Sequence, residues 1–185
     1  MDYPKVQQIV IDECRTALSK VSEEQVTALV DVLLEADKVF IVGVGRVKLS
    51  LAAFSKRLVH LGIDAHVVGD INEPAMKKDD VLIVGSGSGE SLIPVAIAKK
   101  AKSLGGKIVH IGSNKNSSLA PITDLMIRIP VQTKLYLEDE IPSVQPMSSL
   151  FEQCVFLLGD CVAMMIMDRK KFEIKKLWEF HANLE

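Results

Sequence analysis

The sequence has little net charge, few cysteines and few aromatic residues. Its 22 Lys and Arg residues nearly balance its 24 Asp and Glu residues, which gives a formal net charge of −2. Proteins that bind nucleic acid or an anionic membrane usually carry a clear excess of positive charge, so the composition predicts neither partner. Hydrophobic residues make up 48% of the chain, a share that is typical of a globular protein.

The three cysteines, Cys14, Cys154 and Cys161, show no paired spacing. An odd number without such spacing argues against a disulfide framework, and no His or carboxylate completes a metal-ligand motif around them. Cys154 and Cys161 are seven residues apart in a helical pattern, which predicts that they share a buried face.

The sequence also lacks the patterns of a signal peptide and of a membrane span. Residues 1–4 do not show the basic and then apolar arrangement of a signal peptide. We find no apolar run of the roughly 20 residues that are needed to cross a bilayer. These absences predict a cytoplasmic protein with no membrane contact.

Short apolar runs alternate with amphipathic stretches after two N-terminal helical patterns. We predict helices at 5–19 and 23–36, and strands at 39–42, 65–68, 81–84, 107–111 and 125–129. Further helices end near 61, span 91–104, and run from 148 or 149 to about 167. Because strands that alternate with helices form right-handed βαβ units and a parallel sheet, the predicted fold class is α/β.

The chain shows no strong internal repeat and no low-complexity segment. The candidate linker, residues 130–147, lies inside the last third of the chain and fits a functional loop better than a domain boundary. We therefore expect residues 1–185 to form a single domain. Its parts would be N-terminal helices in 1–36, a βα core in 37–130, and C-terminal helices with a tail in 148–185.

A first glycine-bearing loop, GVGRVK at residues 43–48, follows the first predicted strand. Gly-x-Gly after a strand begins a dinucleotide-binding fingerprint. The third glycine position of that fingerprint holds Lys48, whose side chain would crowd the close contact between helix and strand. Asp70 comes a little late for the acid that binds the ribose. The match is incomplete, so we expect no NAD cofactor.

A second loop, GSGSGES at residues 85–91, follows the third predicted strand. Its glycines leave backbone N–H groups uncovered for an anion, and Ser86, Ser88 and Ser91 add hydroxyl donors. The helix that begins near Ser91 directs the positive end of its dipole to the same point. The Walker lysine is missing, so the loop predicts a monophosphate site and not an ATP site. The alternative is a flexible Gly/Ser turn without a ligand.

The two glycine-bearing loops are predicted to meet at one edge of the sheet. If the strands take the order 2-1-3-4-5, the first and third strands are neighbours whose helices leave on opposite faces. The loops after these strands then part and open a crevice, which is where ligands of such folds bind. Loop chemistry and topology therefore predict the same site.

Five segments stand out in the sequence: GxGR at 43–46, RLxHLG at 57–62, SGSGES at 86–91, QPMxSLFEQ at 145–153 and HANLE at 181–185. They resemble the sugar isomerase (SIS) domain family, and within it the isomerases of 3-hexulose 6-phosphate. Together they cover nearly the whole chain. The serine segment is typical of the whole family, whereas the last two are much more specific to the isomerases.

The resemblance implies a three-layer, flavodoxin-like fold around a five-stranded parallel sheet of order 2-1-3-4-5. It also implies a homotetramer with sites shared between subunits, no metal and no cofactor. The implied reaction interconverts 3-hexulose 6-phosphate and fructose 6-phosphate through an enediol, as in the ribulose monophosphate pathway of formaldehyde fixation.

The resemblance further implies roles for individual residues. Glu152 would be the base that moves a proton between neighbouring sugar carbons, and His181 would act as acid or base at oxygen from a neighbouring subunit's tail. Arg46 would stabilise negative charge on the substrate oxygens. The residues expected to bind the phosphorylated substrate are Gly45, Arg46, Ser86, Gly87, Ser88, Gly89 and Ser91.

The sequence departs from the family pattern at two points. After Arg46 the usual Ser-Gly is replaced by Val47 and Lys48, which removes a hydroxyl that ordinarily lies against the substrate. Lys48 is a candidate for a compensating charge, and a different sugar phosphate or a reduced activity are alternatives. Phe180 precedes His181 where a polar residue is commoner.

Simpler explanations stay open at this point. Glu152 follows Ser148 and Ser149 as the acid at a helix N-terminus would, and His181 lies in a polar tail of a kind that is often disordered. The whole chain could be another phosphosugar isomerase of the family or a non-catalytic sugar-phosphate sensor. Such sensors usually carry a DNA-binding helical domain, for which the N-terminal helices are too few, and the presence of both Glu152 and His181 favours an enzyme.

Overall fold

A five-stranded sheet lies at the centre of the fold in the computed structural model, which describes residues 1–184. Its strands are β1 (Val39–Val42), β2 (Ala65–Val67), β3 (Val81–Gly85), β4 (Lys107–Gly112) and β5 (Leu125–Arg128). They are hydrogen-bonded in the order β2-β1-β3-β4-β5, and each pairing is parallel. The predicted fold class and strand order are confirmed.

Helices accompany the sheet at nearly the predicted places. They are α1 (Tyr3–Leu18), α2 (Glu23–Glu35), α3 (Gly45–His60), α4 (Leu92–Ser103) and α5 (Ser149–Lys170), with short 3-10 helices at Ala120–Ile122 and Ile174–Phe180. Ser22 begins α2, and its hydroxyl accepts a hydrogen bond from the Gln25 amide at 3.3 Å. This bond satisfies one of the N–H groups that a helix start leaves unpaired.

Apolar clusters on both faces of the sheet give the fold three layers. On one face Ile83 belongs to a cluster with Leu51 of α3 and Val155 of α5. On the other face Leu82 belongs to a cluster with Ala98 of α4. Because β1 and β3 are buried at every position, their sequences are continuous apolar runs and do not alternate with polar residues.

The sequence predicted no segment that could cross a bilayer. By length and composition, however, helix α5 is apolar enough to cross a membrane. Its sequence does not read as one unbroken apolar run, since the charged residues Glu152 and Asp160 interrupt it. More than half of this apolar stretch is buried inside the fold, where α5 packs against α1, α2 and α3. We therefore assign α5 to the core.

The predicted shared face of Cys154 and Cys161 is wrong, since Cys154 is buried and Cys161 is exposed. Successive positions seven residues apart drift by about 20° around a straight helix. The buried face of α5 accordingly continues at Val162 and Ala163. Cys154 lies beside Cys14 of α1, and burial raises the pKa of the Cys154 thiol to about 12.

Candidate active site

The segment between β3 and α4, which we call the serine loop (residues 86–91), contributes four residues to the lining of a cavity of about 380 Å³. Ser86 and Ser88 are buried and Ser91 is half-buried, and all three are part of the cavity lining together with Gly87. The Ser86 hydroxyl donates to the Ser91 hydroxyl at 3.2 Å. Ser91 stands at the start of α4 but makes no capping hydrogen bond with its side chain, so the loop places hydroxyl groups and a helix N-terminus at one cavity, as predicted.

Gly89 turns the chain inside the serine loop and does not line the cavity. Its φ angle is +66°, and a Cβ atom there would lie 2.2 Å from the Ser117 hydroxyl oxygen, so the position requires glycine. The Gly89 amide donates to the carbonyl oxygen of Ser86 at 3.1 Å and to its hydroxyl oxygen at 3.1 Å. Both hydrogen-bond acceptors of this amide therefore belong to the loop itself. A direct contact between the Gly89 amide and phosphate stays a prediction.

Glu152, in the first turn of α5, lines the same cavity although it is buried. One carboxylate oxygen, Oε2, forms an ion pair with Nε of Arg46. The other, Oε1, accepts a hydrogen bond from the Ser148 hydroxyl at 3.0 Å. The Ser50 hydroxyl donates to the Glu152 carbonyl oxygen at 2.9 Å and ties α3 to α5. The carboxylate is thus held by side-chain partners beside the serine loop.

The loop 43–48 also contributes to the cavity, though not in the way that the lysine suggested. Gly45, Arg46 and Val47 line the cavity, and Gly45 begins α3 with a φ angle of +57°. Arg46 is largely exposed and is paired with Glu152. Lys48 is exposed and lies outside the lining, so the expectation of a compensating charge from Lys48 is not supported. The lysine that lines this cavity is Lys134.

Lys134 belongs to a wall of the cavity that is formed by the loop 130–147 and the turn after it. The cavity-lining residues of this loop and of the turn after it are Gln132, Thr133, Lys134, Tyr136, Met147 and Ser148. The length of the loop and its position before α5 were the signals in the sequence. Nothing in its periodicity indicated which side chains face the serine loop.

Three carboxylates fasten this wall. Glu140 accepts hydrogen bonds from the Thr133 and Leu137 amides, each at 3.0 Å. Asp139 pairs with Arg128 at 2.7 Å. Glu13 of α1 accepts from the Ser143 hydroxyl, the Val144 amide and the Gln145 side chain. The wall is therefore held in place before any substrate arrives.

One known protein family matches most of this chain. A family model described as the SIS domain matches residues 32–158. The chain belongs to the SIS domain family.

Relatives of this SIS domain carry a more specific name. The 3-hexulose-6-phosphate isomerase of Bacillus subtilis is 36% identical over 176 residues, which is 95% of each chain. The 3-hexulose-6-phosphate isomerase of Mycobacterium gastri is 37% identical over 96% of this chain and 88% of its own. A crystal structure from Methanococcus jannaschii, for which that isomerase function is inferred, has 31% identity and a TM-score of 0.83, covering 98% of this chain and 99% of that chain.

His181 is not brought to the cavity within this SIS chain. Its ring stacks on that of His60 with centroids 5.3 Å apart, and the Trp178 ring lies 5.0 Å away. Arg46 is in the first turn and His60 in the last turn of the 16-residue α3, so roughly 20 Å of helix separates them. The structure therefore groups Glu152 with the serine loop and leaves His181 at the other end of α3.

The SIS domain shows no metal-binding cluster in the part of the chain that the structure describes. Among residues 1–184, no group of three or more His, Cys, Asp and Glu side chains comes together in a way that could hold a metal ion. The polar side chains that line the cavity carry hydroxyls, the carboxamide of Gln132, one carboxylate, one guanidinium and one ammonium group. Such a set can bind a phosphorylated anion and move a proton.

Proposed function

We propose that this SIS domain, residues 1–185, is an isomerase that interconverts 3-hexulose 6-phosphate and fructose 6-phosphate by proton transfer through an enediol. One observation carries the proposal: the buried carboxylate of Glu152 lines the same cavity as the serine hydroxyls. A candidate phosphate site and a candidate base therefore share one cavity of about 380 Å³. The identity of the substrate is inferred from the relatives that are named 3-hexulose-6-phosphate isomerase.

The phosphate would be held at the serine loop. Hydroxyl donors of Ser86, Ser88 and Ser91 surround one side of the cavity, and the positive end of the α4 dipole favours a dianion there. Lys134, from the loop 130–147, adds a positive charge to the same cavity. Uncharged hydroxyl donors together with Lys134 suit a monophosphate, which offers three strong acceptor oxygens.

Glu152 would move the proton. Starting from the 3-hexulose, its carboxylate takes the proton from C2, the C3 carbonyl oxygen gains a proton, and a 2,3-enediol forms. Return of the proton to C3, with loss of the O2 proton, leaves a carbonyl at C2 and gives fructose 6-phosphate. Arg46 lies against Glu152 and could stabilise the charge that develops on O2 and O3.

We infer that copies of the chain assemble and share sites. His181 lies at the far end of α3 from Arg46, so any role of His181 in catalysis would be at a neighbouring copy's cavity. A second, apolar groove of about 730 Å³ runs along α1, α3 and α5 and reaches Arg46 and Glu152. Ile11, Leu49 and Phe156 are exposed in it, as an interface between copies would require.

Two further points of the function are inferences from the family. We infer that the enzyme works in the cytoplasm, without a cofactor, at the fructose 6-phosphate step of the ribulose monophosphate pathway. A different phosphosugar isomerase reaction on the same scaffold is the nearest rival, because Val47 and Lys48 replace the usual Ser-Gly. A substrate panel that includes arabinose and amino-sugar phosphates separates these activities.

The decisive experiment is incubation with fructose 6-phosphate in heavy water. We expect deuterium at C3 of fructose 6-phosphate and formation of 3-hexulose 6-phosphate, both followed by NMR. Glu152→Gln should slow exchange and conversion by about a thousandfold, the size of a typical acid–base contribution. The variant should still be protected against heat by inorganic phosphate.

Two results would contradict the proposal. Binding of hexose phosphates by the wild-type protein without exchange or product would indicate a sensor. Undiminished exchange in Glu152→Gln would show that the base lies elsewhere.

A further inference from the structure

The serine loop is supported from below by the end of β4. The Ser86 carbonyl oxygen accepts a hydrogen bond from Nε2 of His110 at 2.9 Å. The Gly87 carbonyl oxygen accepts from the amides of Ser113 and Asn114, at 2.9 and 3.1 Å. The Ser88 carbonyl oxygen accepts from the Asn114 side-chain amide at 3.1 Å. Three successive carbonyl groups thus accept hydrogen bonds from β4 and the two residues after it, and the Ser86 carbonyl oxygen also accepts from the Gly89 amide inside the loop.

His110 is unusual on its face of the sheet. Ile108 precedes it by two residues on the same face, and that face belongs to an apolar cluster with Leu82 and Val84. The imidazole is 1% exposed, and a buried polar group is costly unless it is hydrogen-bonded. Burial lowers the pKa of His110, more than the bond to Ser86 raises it, so the ring is neutral near pH 7.

The packing leaves room for this imidazole and for little else. A Cβ atom at Gly112 would lie 2.3 Å from Nε2 of His110 and 2.6 Å from the Ser86 carbonyl oxygen. Glycine at 112 is therefore needed for the ring to reach the serine loop. Because a carbonyl oxygen only accepts, Nε2 carries the proton in this contact.

We propose that His110 and Asn114 are positioning residues for phosphate binding: they hold the carbonyl oxygens of Ser86 and Ser88 turned away from the cavity. A carbonyl oxygen that faced the cavity would repel a bound dianion, whereas a hydroxyl or amide attracts it. Neither side chain lines the cavity, so both act through the loop. The inference rests on the proposed function in taking the serine loop as the phosphate site.

The test compares His110→Leu, which removes the donor, with His110→Gln, whose amide nitrogen can occupy nearly the place of Nε2. The readouts are the Kd for inorganic phosphate, KM and kcat with fructose 6-phosphate, and Tm without ligand. We expect His110→Leu to raise the phosphate Kd and KM together by about tenfold, with a smaller change in kcat, since one hydrogen bond to the loop is lost. His110→Gln should restore both to within about threefold.

Ile108→Val is the matched control for stability. Ile108 lies on the same face of β4 and belongs to the apolar cluster there, so this variant should lower Tm and leave the phosphate Kd unchanged. Asn114→Ala provides a second route if His110→Leu does not fold, and it should raise the phosphate Kd without a matching loss of kcat.

The outcomes separate this inference from the proposed function. Wild-type protein that binds no phosphate and isomerises no sugar phosphate would overturn both. Wild-type phosphate binding that His110→Leu and Asn114→Ala leave unchanged would overturn this inference alone. The positioning role of His110 would also be overturned if His110→Gln weakens phosphate binding as much as His110→Leu does.

Discussion

The hydroxyl of Ser148 donates a 3.0 Å hydrogen bond to the carboxylate of Glu152 and makes no capping bond to the backbone of the helix that it begins. The simple interpretation of Glu152 as an ordinary acid at a helix start does not explain this arrangement. A cap serves backbone N–H groups, whereas here the cap residue serves the side chain that faces the cavity. The start of α5 is therefore arranged around the carboxylate.

The first prediction concerns that bond. Ser148→Ala should lower kcat by about tenfold with little change in KM, because a hydrogen bond to a charged group orients the proposed base. The measurement is steady-state kinetics with fructose 6-phosphate. Ser149→Ala removes the neighbouring hydroxyl as a control and should behave as wild type, and equal effects of the two variants would contradict the assignment.

The second prediction separates two lysines. Lys134 lines the cavity and Lys48 does not, so Lys134→Met should raise KM several-fold while Lys48→Met leaves it nearly unchanged. Added salt should reduce the difference, because the charge of Lys134 is exposed to solvent. Kinetics at low and at high ionic strength check both points. A larger effect of Lys48→Met would restore the expectation drawn from the sequence.

The third prediction is a pH dependence from Glu13. Burial acts to raise the pKa of Glu13, but hydrogen bonds from Ser143, Val144 and Gln145 bring it below its usual value of 4.5. A lowered pKa in the folded state means that this stabilisation is fully present above pH 4.5 and is lost as the pH falls below it. Glu13→Gln should lower the free energy of unfolding at pH 7 by about 1 kcal/mol, since water competes at this partly exposed site.

Denaturant unfolding between pH 3 and pH 7 measures this effect. The variant should lose less stability than the wild type on acidification. Glu138→Gln, which changes an exposed carboxylate in the loop 130–147 that Glu13 contacts, is the matched control. If the free energy of unfolding falls in parallel with pH for wild type and Glu13→Gln, the hydrogen bonds of Glu13 do not stabilise the fold as proposed.

The fourth prediction concerns His181. A 3-ketose whose terminal oxygen is phosphorylated cannot close the usual five-membered ring, whereas fructose 6-phosphate forms a furanose that must open. An acid or base at oxygen, the expected role of His181, would assist this ring opening. His181→Ala should therefore slow the reaction from fructose 6-phosphate more than the reverse reaction, as measured by single-turnover rates in both directions. Equal losses in ring opening and proton transfer would remove this idea.

Mixing variants tests whether sites are shared. Glu152→Gln and His181→Ala subunits, dissociated and reassembled together, should regain activity if each cavity takes its histidine from a neighbouring copy. No recovery in mixed oligomers would indicate that His181 does not act across an interface.

Several features of the site were predictable from nearby residues in the chain. The serine loop follows from a buried strand, alternating glycines and a helix start within a few positions, so local geometry alone indicates an anion site. The Glu152 assignment came from a resemblance and was not implied by spacing. The contact of His110 with the serine loop could not be predicted from the sequence. An imidazole in a strand does not indicate its partner, and here the partner, Ser86, lies 24 residues earlier in the chain.

Local sequence was sufficient for the order of helices and strands and for the chemistry of the serine loop, since periodicity and turn preferences act over a few residues. Only the folded chain reveals that Arg46 pairs with Glu152, which is 106 residues away in the sequence. The fold also decides that Lys134 and not Lys48 lines the cavity. It likewise decides that Cys161 is exposed while Cys154 is buried. These outcomes depend on how α3, α5 and the loop 130–147 pack together. No local pattern encodes that packing, because it arises from the combined burial of residues far apart in the chain.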